Sequence, residues 1–193
     1  MSVNFYDVLK AGYKNKKSQE GSLTKNGYIY DKDLSSDNHQ TYYNPSSKKL
    51  IYNVTGTHNL KDVITDAYLA FGSLKNTSRY KEDDKILRKS KEKYGVNDAI
   101  ITGHSLGGSI ASKIAKNGDK SYSLDSGFTF GQKGIKSNNK EYRSNDFVSI
   151  LGSNKKNMHT LKNNNSSILK DGILGNAYKS HDVDNIRDSK IFI

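Results

Sequence analysis

Asp98-Ala99-Ile100-Ile101-Thr102-Gly103-His104-Ser105-Leu106-Gly107-Gly108-Ser109-Ile110-Ala111 is the stretch whose reading decides the fold. Asp98 to Thr102 is a short apolar run flanked by turn residues, the pattern of a buried parallel strand. Leu106 to Lys116 reads as a helix rich in small residues. Between them Gly103-His104-Ser105-Leu106-Gly107 matches G-x-S-x-G. As a bare pentapeptide this is a weak signal. Placed between a buried strand and a helix it has the strand–turn–helix context that a nucleophilic serine on a sharp turn requires. Such a serine holds strained backbone angles, and side chains two residues before and after it would collide. Glycine at 103 and 107 removes the collision. The turn lifts the hydroxyl above the sheet, and the following helix aims its first amides at developing negative charge. Gly108, Ser109 and Ala111 let that helix approach the sheet closely, and His104 reads as a packing residue of the turn. The competing reading is an ordinary glycine-rich strand-to-helix turn.

Working outward, strands and helices alternate. Toward the N-terminus, Thr77 to Tyr94 is a charged helix with Ile86 and Leu87 as its main apolar contacts. Leu60 to Phe71 has apolar residues at helical spacing. Lys49 to Thr55 is a strand that follows the turn signal Asn44-Pro45-Ser46-Ser47. Gln40 to Tyr43 and Tyr28 to Tyr30 are weaker strand candidates, and Val3 to Ala11 reads as a short amphipathic helix. Toward the C-terminus, Phe128 to Phe130 and Phe147 to Leu151 are strand candidates, and the polar stretch 153–165 reads as an exposed loop. The pattern predicts an α/β fold, a mostly parallel central sheet with helices on both faces. At 193 residues the chain fits one domain, 1–193, with residues 1–44 as a variable N-terminal part.

The composition narrows the class. Hydrophobic residues make up 33% and mean hydropathy is −0.81, yet the apolar residues cluster as in a folded domain. The formal charge is +11, but the lysines are scattered and no nucleic-acid-binding motif is present, so no nucleic acid is expected as partner. Without cysteine the chain has no disulfide, thiolate metal site or cysteine nucleophile. Met1 to Lys10 lacks the apolar run of a signal peptide. No segment has the length of a transmembrane helix. A cytoplasmic or virion-associated location is therefore expected over secretion.

Ile101-Thr102-Gly103-His104-Ser105-Leu106-Gly107-Gly108 resembles the nucleophile elbow of the class 3 lipases, the fungal-lipase-like branch of the α/β-hydrolases. Three further stretches match the same family in order. Gly56-Thr57, with Asp62-Val63-Ile64-Thr65-Asp66 after it, resembles the oxyanion strand and the segment that follows. Phe128-Thr129-Phe130-Gly131-Gln132 resembles the strand after the elbow helix. Tyr142-Arg143-Ser144-Asn145-Asp146-Phe147-Val148 resembles the stretch that carries the catalytic acid. The resemblance covers roughly residues 45 to 185 and implies a compact α/β-hydrolase fold. It departs from the family at Thr55, where an arginine usually precedes the Gly-Thr pair, and at Lys133, where proline is common.

A serine hydroxyl becomes a good nucleophile only when a base takes its proton and a third group orients that base. In this fold the chain order is serine, acid, histidine, which leaves His159 and His181 as bases and Asp125, Asp146, Asp171 and Asp182 as acids. The resemblance favours Asp146 and His181, and most of the rival carboxylates read as solvated surface groups. The backbone N–H of Leu106 is one expected oxyanion donor, and the resemblance makes Thr57 the second. His58 borders the site. The helix after Gly-Thr, through Leu60, Val63, Ile64 and Ala67, is either a lid over the site or a core helix. The implied activity is hydrolysis of lipid or acylglycerol esters without cofactor or metal. Phospholipase or small-esterase activity, and a catalytically silent lipase-like structural or virion component, are the alternatives. The positive charge would suit transient contact with an anionic membrane surface.

Overall fold

The computed structural model describes residues 2–13, 21–56, 74–116, 118–126, 138–143, 158–161 and 182–193. Seven strands follow one another across the sheet in chain order: β1 (Ile29–Asp31), β2 (His39–Asn44), β3 (Lys49–Val54), β4 (Ile100–His104), β5 (Lys120–Leu124), β6 (Asn139–Arg143) and β7 (Met158–Thr160). β1, β2 and β3 are antiparallel neighbours, and β3 to β7 run parallel. The β2–β3 hairpin closes where sequence predicts it. The Asn44 side chain accepts a hydrogen bond from the Ser47 N–H at 3.0 Å, and Lys48 takes the left-handed φ of 52° that completes the turn.

Alternation along β3 sorts the core into two layers. Leu50, Tyr52 and Val54 face Leu87 of helix α3 (Ser78–Tyr94) and Ile110, Ala111 and Ile114 of helix α4 (Leu106–Ile114). Ile51 faces the other way, toward Val8 and Ala11 of helix α1 (Phe5–Tyr13) and toward Leu23 of the single-turn helix α2 (Gly21–Lys25). The expected mostly parallel sheet with helices on both faces is what forms. Helix α3 is closed at both ends as its sequence dictates. Thr77 caps the start by accepting from Tyr80 N–H, and Gly95 at φ 61° ends it in the left-handed conformation.

Some boundaries differ from expectation, each for a reason remote in sequence. Helix α1 runs from Phe5 to Tyr13 rather than Val3 to Ala11, because Val3 pairs with the last residue of the chain. The Val3 N–H donates to the Ile193 carbonyl at 3.1 Å, and the Val3 carbonyl accepts from the Ile193 N–H at 3.0 Å. Strand β4 continues to His104 because its ladder to β5 extends through the His104–Leu124 pair. Helix α4 stops at Ile114, where Ala115 turns to an extended ψ of 123°. Within 153–165, expected to be a loop, Met158–Thr160 forms β7 on β6. A sheet edge offers unpaired peptide groups that a polar segment satisfies as well as an apolar one. The expected helix 60–71 and strand candidates 128–130 and 147–151 lie outside the described residues. Among the described residues no helix is long and apolar enough to cross a membrane.

One ion pair ties β1 to the end of α3. The buried Asp31 carboxylate accepts from Lys93 Nζ at 2.6 Å and from the Tyr94 hydroxyl at 2.7 Å. Burial alone would raise its pKa, but the Lys93 and Tyr94 hydrogen bonds and the Lys93 charge outweigh it and hold the carboxyl below the ordinary 3.8. The folded value lies below the unfolded one. The contribution is therefore complete above about pH 4 and is lost as pH falls through the folded value. Asp31→Asn should lower Tm near neutral pH and flatten the acid limb below pH ~4. Superimposable limbs for wild type and variant would overturn this.

Candidate active site

Ser105 sits at the head of α4 with φ 57° and ψ −127° and is 5% exposed. It is one of three non-glycine residues at positive φ among those described. The turn is fixed from both sides: the Ser105 N–H donates to the Leu124 carbonyl of β5 at 2.9 Å, and the Ser105 carbonyl accepts from the Ser109 N–H at 3.1 Å. The glycines around it are required by contact. A Cβ on Gly103 would strike the Gly107 backbone and stand 2.7 Å from Gly108 N. A Cβ on Gly107 would strike the Val54 carbonyl oxygen and stand 2.8 Å from the Thr55 carbonyl carbon. Gly108 faces Ser123 and Ser126 at 3.2 and 3.1 Å from its Cβ position, which is the close helix–sheet approach expected of that residue.

The end of β3 leads straight to the serine. A Cβ built on Gly56 would lie 2.7 Å from the His104 carbonyl oxygen and 3.3 Å from Ser105 Cβ. Two residues outside every motif hold this segment. The Tyr13 hydroxyl, at the end of α1, accepts from the Gly56 N–H at 3.0 Å and lies 2.9 Å from His104 Nδ1. Burial pushes the Tyr13 pKa far above the ordinary tyrosine value, so the hydroxyl keeps its proton and can donate it to His104 Nδ1. Arg79 Nη2 donates to the Thr55 carbonyl at 2.9 Å. Arg79 of α3 thus brings a guanidinium to the carbonyl of Thr55. The Thr55 hydroxyl itself joins a buried ladder: Gln40 Nε2 donates to it at 3.0 Å, Asn53 donates to Gln40 at 2.8 Å, and Thr102 donates to Asn53 at 2.8 Å. The sequence signal for Tyr13 was its place four residues beyond Leu9 and eight beyond Phe5, on the buried stripe of α1.

Of the other candidates, Leu106 begins α4 next to Ser105, and His104 is buried at the end of β4. Thr57, His58, the stretch with Leu60, Val63, Ile64 and Ala67, Asp146, Asp171 and His181 lie outside the described residues. His159 is exposed on β7 and stacks on the Tyr142 ring, with centroids 5.3 Å apart. Its register row runs through Tyr142 and Leu124 to His104, so three strand spacings put it about 14 Å from the elbow. Asp182 caps a short turn by accepting from the Asp184 N–H at 2.9 Å. Asp125, expected among the solvated acids, is instead fully buried just past β5, at φ 46°. Its N–H donates to the Tyr142 carbonyl of β6 at 2.9 Å.

A model of the family "Lipase (class 3)" matches residues 53–146, so the chain resembles class 3 lipases over the segment that contains the elbow. No curated protein sequence matches it. Among solved structures, the native propeptide complex of Rhizomucor miehei lipase is similar at TM-score 0.47 and 12% identity, over 76% of this chain and 61% of that one. A deletion mutant of the same complex gives 0.49 and 13%, over 83% and 66%. A mutant form of MDLA from Penicillium cyclopium gives 0.50 and 12%, over 90% and 87%. The chain thus spans about three fifths of the native Rhizomucor miehei structure. The MDLA likeness places the sheet in the α/β-hydrolase fold.

Proposed function

We propose that this chain, lipase-like in sequence over 53–146 and an α/β-hydrolase in fold, is a carboxylic ester hydrolase with Ser105 as nucleophile. One observation carries the reading. Ser105 stands at positive φ between a core strand and the first amides of α4, a strained conformation that an ordinary turn would give to glycine.

In this reading the Ser105 hydroxyl attacks the ester carbonyl while His181 takes its proton and Asp146 orients the imidazole. The tetrahedral oxyanion is met by the N–H groups of Leu106 and Thr57. The alcohol leaves with the proton from His181, and water then hydrolyses the acyl-enzyme by the same steps. The separation of His159 from the elbow supports His181. The substrate class is a lipid or acylglycerol ester, and Leu60, Val63, Ile64 and Ala67 are the lid candidates. The whole chain acts as one domain.

The test is covalent labelling by a fluorophosphonate probe together with hydrolysis of short p-nitrophenyl esters. A folded wild-type protein that neither labels nor hydrolyses would overturn the enzyme reading in favour of a silent lipase-like module. An ester chain-length series, with and without anionic vesicles, then separates esterase, lipase and phospholipase.

A further inference from the structure

The peptide unit between Thr55 and Gly56 is gripped at both of its polar atoms. Its carbonyl accepts from Arg79 Nη2 at 2.9 Å, and its N–H donates to the Tyr13 hydroxyl at 3.0 Å. The two partners come from helices on opposite faces of the sheet. The peptide plane is thereby fixed in rotation as well as position, since turning it would break both bonds together. Each grip is itself anchored. Arg79 donates through Nε to Asp83 at 2.9 Å and through Nη1 to the Asn38 side chain at 2.8 Å. Tyr13 is half-buried, and its hydroxyl also lies 2.9 Å from His104 Nδ1, one residue before Ser105. A tyrosine hydroxyl offers one proton and two lone pairs. It accepts from Gly56 and shares a hydrogen bond with His104 Nδ1, so one oxygen couples the segment entering the oxyanion loop to the turn that carries the nucleophile.

We infer that Tyr13 and Arg79 are positioning residues that clamp the 55–56 peptide, and through it the oxyanion loop, in register with Ser105. The inference rests on the serine hydrolase reading. Oxyanion donors act only when aimed in advance at where charge develops, and small displacements at such a site cost large factors in rate. The clamp therefore acts on turnover rather than on substrate binding.

The experiment compares wild type with Tyr13→Phe, Arg79→Lys and the control Tyr6→Phe. The Tyr6 hydroxyl belongs to the same helix but donates to Asp184 at 2.8 Å, away from the site. For Tyr13→Phe we expect kcat for a p-nitrophenyl ester, and the rate of fluorophosphonate labelling, to fall about 10- to 100-fold with KM little changed. Arg79→Lys keeps the charge but not the fork, and should fall by less. Tyr6→Phe should match wild type. Amide hydrogen exchange at Gly56, which needs no activity, should speed up at least about tenfold in Tyr13→Phe when its partner among the described residues is removed. Unchanged exchange at Gly56, or unchanged kcat in an active background, would overturn the clamp. An inactive wild type with Gly56 exchange that still responds to Tyr13→Phe would instead overturn the hydrolase reading and leave the clamp without a catalytic role. If Tyr13→Phe does not fold, Arg79→Lys decides, and wild-type kcat in that variant would overturn the clamp.

Discussion

Ser105→Ala is expected to lower ester turnover by about 10⁴- to 10⁶-fold and to abolish fluorophosphonate labelling. The size follows from how the group works. A nucleophile, its base and its acid act as one unit, so losing the nucleophile alone removes nearly all of what the unit supplies, and only oxyanion stabilisation and binding remain. Stability should scarcely change, because alanine keeps the Cβ that makes φ 57° unfavourable. Ser105→Gly separates the readings further. It should be equally inactive yet more stable than wild type by about 1 kcal/mol, the released backbone strain exceeding the entropy cost of a glycine. An ordinary turn would show no such opposition between activity and stability. Thermal unfolding and labelling on the same three proteins suffice. A Ser105→Ala protein that still labels would place the nucleophile elsewhere, and a Ser105→Gly protein less stable than wild type would remove the strain argument.

What sequence could and could not reveal follows the range of the interactions. The elbow was legible because its main requirements are local: a strand, a turn and a helix within a dozen residues, with Gly103 serving a contact inside that segment, whereas Gly107 meets the end of β3. The β2–β3 hairpin and α3 were legible for the same reason, through Asn44 and Pro45 in one and Thr77 and Gly95 in the other. The clamp was not. Tyr13 lies 43 residues from Gly56 and Arg79 lies 24 from Thr55, and neither position follows from any motif. Thr55 looked like a gap in the family pattern because the sequence shows only that an arginine is missing at that position. The fold brings Arg79 to the Thr55 carbonyl. Similarly, β7 was hidden in a polar stretch because its pairing is a backbone interaction with no side-chain signature.

The second large effect concerns the anchor behind Arg79. Asp83 is fully buried on α3. Its carboxylate accepts from Arg79 Nε at 2.9 Å and from the Tyr52 hydroxyl at 2.8 Å, and lies 3.0 Å from His39 Nδ1. Burial first, and then the Asp83 charge, push the Tyr52 pKa well above the ordinary tyrosine range, so its hydroxyl remains a donor. Ser36 Oγ stands 3.5 Å from both ring nitrogens of His39, and a serine, a histidine and an aspartate therefore meet here too. The equal distances leave that hydroxyl aimed at neither nitrogen, and the site braces rather than reacts. Asp83→Ala should cost about 3–5 kcal/mol, because it leaves a guanidinium and two further polar groups without their shared acceptor in a dry interior. Asp83→Asn keeps the volume and one acceptor oxygen but turns an amide toward donors. It should cost less, about 1–3 kcal/mol. Urea unfolding with unchanged m-values gives both numbers directly. The order matters as much as the size. If alanine and asparagine cost the same, the lost charge rather than shape accounts for the whole effect. If both cost under about 1 kcal/mol, surface salt-bridge energetics apply and the brace as drawn is wrong.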